Sequence, residues 1–554
     1  MPILEWLGKN EAIRTTDKIP YRVLKVNEEL SYGEKTKNMI IKGDNLEALK
    51  ALLPYYKGQV KCIYIDPPYN TGSRIDADGN EVGYDDNLEH STWCSMMYPR
   101  IELLRKLLRE DGLIAVQIDD DEYCHLYMII AEIFGMKNVK TISVKMSEAT
   151  GVKMASINKN GSIPKLKEYI ILASPNGIKN LHIEKVPKEK WDNEYKTVCL
   201  NVTEKELNFV KAIIADEDRT KEDIQKVKDI VKKISFMNVK DVCKAETGNT
   251  LNDAWLYQNA YRIVQIATLT GGARNLAEEI KQTTKDDIAV FPIVTSKNKM
   301  YLIKRDFNEL TDLPRCKLLF ADLYLTVHPG DFWQDIKTTG LDNEGGVTFK
   351  KGKKPEALIK RIVGMSTEKD DIVLDSFAGS GTTCAVAHKM NRKYIGIEQG
   401  NHIYSHVIKR LNSVIDGEQQ GISKSVNWQG GGGYTFYDLG EPIFDENGNI
   451  NQQVDFKTLA SHIWFSETKT AYTDTANSPN LGEYNNTQYY LLYNGILGDK
   501  KPDGGNVLTQ KVFDILPKYD GKKVIYGEAT TMSAEKLKQN NIIFKQTPYE
   551  IKAK

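Results

Sequence analysis

Cys62-Ile63-Tyr64-Ile65-Asp66-Pro67-Pro68-Tyr69-Asn70-Thr71-Gly72 is the stretch on which the fold turns. Its first half is apolar, β-branched and aromatic, with no charge before Asp66, and predicts a buried strand. Pro67 and Pro68 each lack an N–H and fix φ, so neither a ladder nor a helix continues through them. A carboxylate, a rigid backbone and an aromatic ring are thereby held just past a strand's C-terminal end. Ligands bind at that place in open α/β sheets.

The same groups suit methylation of an exocyclic amine on a base. Such an amine is a poor nucleophile, because its lone pair is delocalised into the ring. A carboxylate and a backbone carbonyl can accept its two N–H bonds and turn the lone pair toward a methyl donor. Tyr69 can stack on a base that has left the duplex. A carboxylate of pKa ~4 is a weak base, so positioning is the larger part of the role of Asp66. Read alone, the stretch is also compatible with a plain strand-to-loop exit. It resembles the Asp-Pro-Pro-Tyr motif of amino-methylating DNA methyltransferases, and with Asn-Thr-Gly following it is most similar to the adenine-N6 members.

A second motif lies far downstream. Asp371-Ile372-Val373-Leu374-Asp375 predicts a strand, and Ser376-Phe377-Ala378-Gly379-Ser380-Gly381-Thr382-Thr383 a glycine turn opening a helix from Cys384 to Met390. Glycines let backbone approach a ligand closely. Lys393 to Glu398 is a strand ending in an acid about twenty residues on, able to accept both hydroxyls of a ribose. A glycine loop plus an acid also suits a dinucleotide, but Phe-x-Gly-x-Gly after Asp is not the dinucleotide fingerprint. It resembles the S-adenosylmethionine loop of methyltransferases.

The length, 554 residues, predicts two to four domains. Formal net charge is zero, so a DNA-binding surface must be a local basic patch offset by acid elsewhere. The seven cysteines are scattered without paired metal spacing, which fits a reducing cytoplasm and argues against structural zinc. No signal peptide or bilayer-length apolar run is found, and no membrane partner is expected.

Taken in order, residues 1–38 read as an arm or a dimer element. Met39 to Leu49 reads as strand, tight turn at Gly43 and helix, with Asp44 or Asn45 as cap. The loop 73–90 is either a cover for a flipped base or a plain surface loop. Trp93, Met97, Ile101, Leu104 and Leu108 predict an amphipathic helix over 91–110, ended by Gly112. Leu113 to Ile118 is a second buried strand. The run Asp119-Asp120-Asp121-Glu122 is read as capping the helix 122–134 rather than as catalytic. Glu168 to Ala173 is a further strand. Strands and helices alternating in this way indicate an α/β, doubly wound, mostly parallel sheet.

From 177 to 327 the character changes: charged helical stretches such as Glu204 to Phe236, aromatics with Asn and Arg over 252–274, and an edge strand over 288–294. Aromatics, Asn, Gln and Arg are types that read base edges. A glycine-containing linker over 328–350 precedes Lys350 to Arg361, a basic loop entering a helix. That loop is the best local phosphate-contact candidate, or a solvated basic turn. Residues 400–415 predict another helix, Gly430 to Gly433 a linker, and the remainder a βαβαβ-like pattern.

The base motif precedes the cofactor motif, with a domain-sized insert between. That order resembles the β class of amino-methyltransferases, circularly permuted, and within it the modification subunits of type III restriction–modification systems. The resemblance implies a Rossmann-like methyltransferase fold divided as follows: an N-terminal arm 1–38, a target-base half 39–176, an inserted target-recognition domain 177–327, a cofactor half 328–415 and a C-terminal α/β accessory domain 416–554. It implies methyl transfer from S-adenosyl-L-methionine to N6 of adenine in duplex DNA, without a metal. The catalytic residues carried over are Asp66, Pro67, Pro68 and Tyr69. The cofactor residues are Asp44, Lys354, Asp375, Phe377, Ala378, Gly379, Gly381, Thr382 and Glu398. A homodimer and a helicase–nuclease restriction subunit are the implied partners. Cytosine-N4 methylation and a non-catalytic DNA-recognition scaffold are the alternatives; Asp66, where cytosine enzymes usually have Ser, favours adenine.

Overall fold

The computed structural model describes residues 3–70, 89–148, 161, 163–188, 190–338, 341–347, 353–445, 448–452, 454–474, 476–496 and 499–551. The loop expected to cover the base lies outside these except for Glu89 and His90, and Thr71, Gly72 and Lys350 to Gly352 also lie outside. The chain divides into two compact units, Met1–Glu184 with Gly330–Lys554, and Lys185–Pro329.

In the first unit, among the described residues, a ten-stranded sheet runs in the spatial order Arg22–Gly33, Gly433–Pro442, Met39–Lys42, Lys393–Glu398, Ile372–Asp375, Val60–Ile65, Leu108–Ile118, Lys167–Ala173, Val139–Lys145 and Phe332–Trp333. The strands from Gly433–Pro442 to Leu108–Ile118 are parallel. Lys167–Ala173 then runs antiparallel to both its neighbours. Both faces are covered, and the strand sequences show why. Ile41, Ile63, Ile65, Ile114 and Val116 join one apolar cluster with the helices Asn45–Tyr56, His90–Leu107 and Tyr123–Phe134. Their alternates Ile40, Cys62, Tyr64, Leu113 and Ala115 join another with Glu356–Ser366, Thr382–Lys389 and Ile408–Ile415. Successive side chains of a strand point to opposite faces, so apolar runs of this kind require a helix layer on each.

Several elements differ from expectation. Residues 1–38 are no loose arm: Lys9–Lys18 is a helix and Arg22–Gly33 a strand of the main sheet. Its partner is Gly433–Pro442, so the glycine run leads directly into a strand of the main sheet rather than into a separate domain. Gly112 does not end a helix. The helix stops at Leu107, the strand Leu108–Ile118 passes through Gly112, and a Cβ there would meet the Leu108 side chain at 2.7 Å and the Lys61 carbonyl at 3.0 Å. The apolar run after it carries the strand upstream, and the close approach explains the glycine. Phe332–Trp333, read as linker, pairs with Val139–Lys145.

The C-terminal region holds a four-stranded sheet, Asn480–Tyr484, Thr487–Leu491, Lys522–Gly527 and Ile542–Gln546, with helices Gln510–Ile515 and Ala534–Gln539 between its parallel strands. An unanticipated helix, Phe456–Thr468, is capped by Asp455. Its Leu459, Ala460 and Ile463 share a cluster with Leu49 and Leu52 of the helix Asn45–Tyr56.

The second unit has its own six-stranded antiparallel sheet, edged by Val290–Val294 and Ser235–Asn238. Its helices Glu204–Ala215 and Lys221–Val231 each open on a capping box, Thr203 with Glu206 and Thr220 with Asp223. Several of the residues singled out as base readers are engaged inside the unit, while Tyr257 is exposed. Asn252 caps a helix, Trp255 is buried, Arg262 pairs with Glu246 and Arg274 with Glu278.

The strand Gly433–Pro442 yields a direct test. Phe436 is fully buried in it. Phe436→Ala is expected to cost about 3–5 kcal/mol and to speed amide exchange in the neighbouring Met39–Lys42 strand. Unchanged exchange there would make the strand energetically separate from the rest of the sheet.

Candidate active site

The two motifs meet because their strands are neighbours. Ile372–Asp375 pairs in parallel with Val60–Ile65, with Val373 opposite Cys62 and Leu374 opposite Ile63. Asp66 and Asp375 therefore sit at adjacent C-terminal strand ends. Beyond Asp66 the chain is pinned by Trp93, whose Nε1 donates to the Pro68 carbonyl at 2.8 Å. Asn70 takes a φ of 60°, a left-handed conformation that Asn tolerates.

Around Asp66 lies a compact charged network. The Tyr69 hydroxyl is 2.6 Å from Asp66 Oδ1 and 2.9 Å from Glu168 Oε2, so one phenolic proton serves two carboxylates. Lys354 Nζ lies 3.1 Å from Asp66 Oδ2 and 3.3 Å from Glu168 Oε2, and donates to the Tyr69 oxygen at 2.8 Å. Gln117 donates to Glu168 at 2.5 Å and accepts from the Tyr64 hydroxyl at 2.5 Å. Burial pushes the Asp66 carboxyl above the usual carboxylate range, with the Lys354 ammonium pulling against it. Burial also works against Glu168, but Lys354 and the hydrogen bonds from Gln117 and Tyr69 hold its carboxyl below the ordinary value. Desolvation of Lys354 is outweighed by the two carboxylates, which raise it. Tyr69 is raised well above the usual phenol value by burial and these anions, so it remains a donor.

The second motif is tied from all sides. Asp375 Oδ1 accepts the Phe377 N–H at 2.9 Å, and Glu398 accepts Gly379 N–H at 2.8 Å and Gly400 N–H at 2.7 Å. Gly379 and Gly381 have φ of 52° and 76°, a region that side chains disfavour. Phe377, Ala378 and Thr382 are buried. Arg410, itself buried, donates to Thr382 Oγ1 at 2.6 Å and to Glu356 at 2.7 Å, and Lys389 holds the other Glu356 oxygen at 2.8 Å. Asp44 caps the helix Asn45–Tyr56 and pairs with Arg100 at 3.1 Å. Arg100 also fixes Asn45, whose amide donates to the Ser376 carbonyl at 2.8 Å.

S-adenosylmethionine fits these residues on two observations. Ser376 Oγ is buried with no hydrogen-bond partner among the described residues, and a Cβ on Gly379 would meet nothing nearer than 3.8 Å. The turn thus offers a spare polar atom beside open backbone. Glu398 keeps lone pairs for hydroxyls beyond its two backbone bonds and its 3.4 Å contact with His402 Nε2.

The resemblance assigns Lys354 to the cofactor; the structure instead seats it between the Asp66 and Glu168 carboxylates. Lys353 is buried too, donating to the carbonyls of Leu341, Glu344 and Val347. Lys360 pairs with Glu184 and Arg361 with Asp335, so the described part of the basic run is no open phosphate surface. The acid run does not cap its helix. Glu122 makes no side-chain cap bond, while Asp119 and Asp120 pair with Lys165 and Lys167. Glu168, Gln117, Glu356, Lys389 and Arg410 were missed as site residues. The available signal was a lone acid ahead of the uncharged run Tyr169 to Ala173.

Comparison with known proteins shows the family. The family model described as DNA methylase matches residues 60–409, more than half the chain, and the chain belongs to that family. It is 36% identical over 426 residues to the "probable type III restriction-modification enzyme HindVI Mod subunit" of Haemophilus influenzae, covering 74% of this chain and 55% of that protein. It is 27% identical over 438 residues to the EcoPI Mod subunit of Escherichia phage P1, covering 71% and 62%. The chain thus spans between half and two thirds of these relatives' lengths. Among solved structures, a putative DNA modification methylase of Thermus thermophilus complexed with S-adenosyl-L-methionine aligns at a TM-score of 0.31 and 13% identity, over 72% of this chain and 99% of that one.

Asp375 makes the site pH-sensitive. Burial pushes its carboxyl up to about 7, against hydrogen bonds from Thr383 and the Phe377 N–H. The unfolded chain ionises this group near pH ~4. The folded state holds the extra proton between those values. Its stabilisation is therefore full below pH ~4 and is lost as pH rises toward 7, at up to about 1.4 kcal/mol per pH unit. The melting temperature of wild type relative to Asp375→Asn should fall between pH ~4 and ~7, the window those two values bracket. Parallel profiles would mean that Asp375 ionises normally.

Proposed function

We propose that this chain transfers a methyl group from S-adenosyl-L-methionine to N6 of an adenine flipped out of duplex DNA, as the modification and recognition subunit of a type III restriction–modification system. The observation that carries the reading is the ion-paired Asp66 at a strand end beside the glycine turn. Bound there, S-adenosylmethionine supplies a methyl group on a sulfonium, which already carries the leaving-group charge. Asp66 and the Pro67 carbonyl hold the amine, and the aligned lone pair is worth more than proton removal. The amine becomes acidic only once methylated. Both Asp66 oxygens are engaged, by Tyr69 and by Lys354, so the incoming amine takes the place of the phenol. The displaced Tyr69 ring is then available to stack on the base.

Adenine rather than cytosine is favoured by Asp66 and by the similarity to Mod subunits. The separate unit Lys185–Pro329 is assigned to target recognition on its position between the two motif-bearing halves. A homodimer and a helicase–nuclease subunit are the partners in this reading.

The test is expression in a host lacking other methylases, with modified bases mapped in genomic DNA by long-read sequencing. The wild type should place N6-methyladenine at one short motif and Asp66→Ala should place none. N4-methylcytosine, or no mark from a soluble cofactor-binding protein, would overturn the reading. In vitro, Tyr69→Ala should lower kcat/KM by about 5- to 150-fold, the range of one base–aromatic stack. Tyr69→Phe, which keeps the ring, should retain most of the activity; equal losses would place the role of Tyr69 in its hydroxyl.

A further inference from the structure

Glu122 lies at the start of the helix Tyr123–Phe134 with its side chain fully buried. Its Oε1 meets His90 Nδ1 and Asn70 Nδ2, each at 2.7 Å, and its Oε2 meets His125 Nδ1 at 2.7 Å. The donor atoms of His90, Glu122 and His125 lie within 4.8 Å of one another. Among the described residues, the groups that meet Glu122 are these two imidazoles and the Asn70 amide; no Lys or Arg reaches it. A buried carboxylate is costly unless paired with a charge. Neutral imidazoles and an amide satisfy its lone pairs but not its charge.

Two further features point to a cation. Two imidazoles and one carboxylate are a donor set of zinc-class sites. Glu122 and His125 have the Glu-x-x-His spacing that helical metal sites use to aim both donors to one side. We propose that His90, Glu122 and His125 bind one divalent transition metal of the zinc class. Tetrahedral donors at about 2.0–2.1 Å from zinc stand roughly 3.3 Å apart, so the present 2.7 Å contacts open by about half an ångström. Each Nδ1 proton moves to Nε2, the other ring nitrogen, as its lone pair turns to the metal. The fourth position goes to water or to the Asn70 amide oxygen after rotation. His90 is 63% and His125 31% exposed, which leaves a route of entry.

The role of such a metal is structural. It ties the first turns of His90–Leu107 and Tyr123–Phe134 to each other. The first of these helices already holds Pro68 through Trp93, and Glu122 holds Asn70. The metal would therefore stiffen the exit of the Asp66 motif without touching the reacting atoms. The proposal is independent of the identity of the methylated base.

The test uses the full chain, stripped with a chelator and titrated with zinc against a competing indicator, with cobalt absorption as a second readout. One equivalent is expected, bound at least about tenfold more weakly by His90→Ala and by His125→Ala. His90→Ala gives up one hydrogen bond to the buried Glu122, so each protein is compared with its own metal-free form, and only wild type should gain in melting temperature with zinc. Exposed Cys124 is the competing ligand. Equal affinity in the histidine variants, or loss of binding in Cys124→Ser alone, would overturn the proposal.

Discussion

The buried ammonium of Lys354 is the constraint on which the site depends. It lies between Asp66 and Glu168 and donates to a tyrosine 285 residues away in sequence. A buried charge is tolerated only with well-placed partners, and removing one leaves the others costly. Two strand ends and one helix entry must therefore be correct together. Asp66 ends the Val60–Ile65 strand, Glu168 enters the antiparallel Lys167–Ala173 strand, and Lys354 precedes the helix Glu356–Ser366. The insert Lys185–Pro329 leaves the chain between the second and third of these contributions. The loop-closure cost of so long an insertion grows only logarithmically, which is how a domain can occupy that place without uncoupling the halves.

The glycine turn is supported by a second buried ion network with the same logic. Arg410, Lys389 and Glu356 are all fully buried, and Lys389 also pairs with Glu418. Burial disfavours ionised Glu356, but Arg410 and Lys389 hold its carboxyl below the usual value. Arg410 extends this network to Thr382, the first residue of the helix that Gly381 opens. The glycines let the backbone approach a ligand; the network fixes where that backbone stands.

What was legible in the sequence follows from this division. The Val60–Ile65 strand, the proline stop, the glycine turn and the strand to Glu398 rest on local signals: apolar runs, missing N–H groups and positive φ. Lys353 and Lys354 were not legible as buried, because a run of cations reads as solvated and only tertiary partners reverse that. The acid run misled for the same reason, its partners Lys165 and Lys167 standing 46 and 47 residues further along the chain. The pairing of Arg22–Gly33 with Gly433–Pro442 was invisible, since the first strand is largely polar and interrupted by bulges, and the second begins within a glycine run. At Gly112 a glycine signal was real but was read as a helix end instead of a close approach to Lys61.

Asp66 faces two demands in the proposed reaction. It must be ionised to accept an amine N–H, yet its burial opposes ionisation. Lys354 meets the first demand, and Glu168 keeps Lys354 in place independently of Asp66. The hydroxyl of Tyr69 meets the second while the site is unengaged by a base, by supplying a hydrogen bond that an entering amine can replace one for one. That exchange leaves the Lys354 contact to Asp66 Oδ2 untouched and frees Oδ1 on the side from which the phenol withdrew. A carboxylate anchored through one oxygen and exchangeable at the other can orient an amine without giving up its own charge.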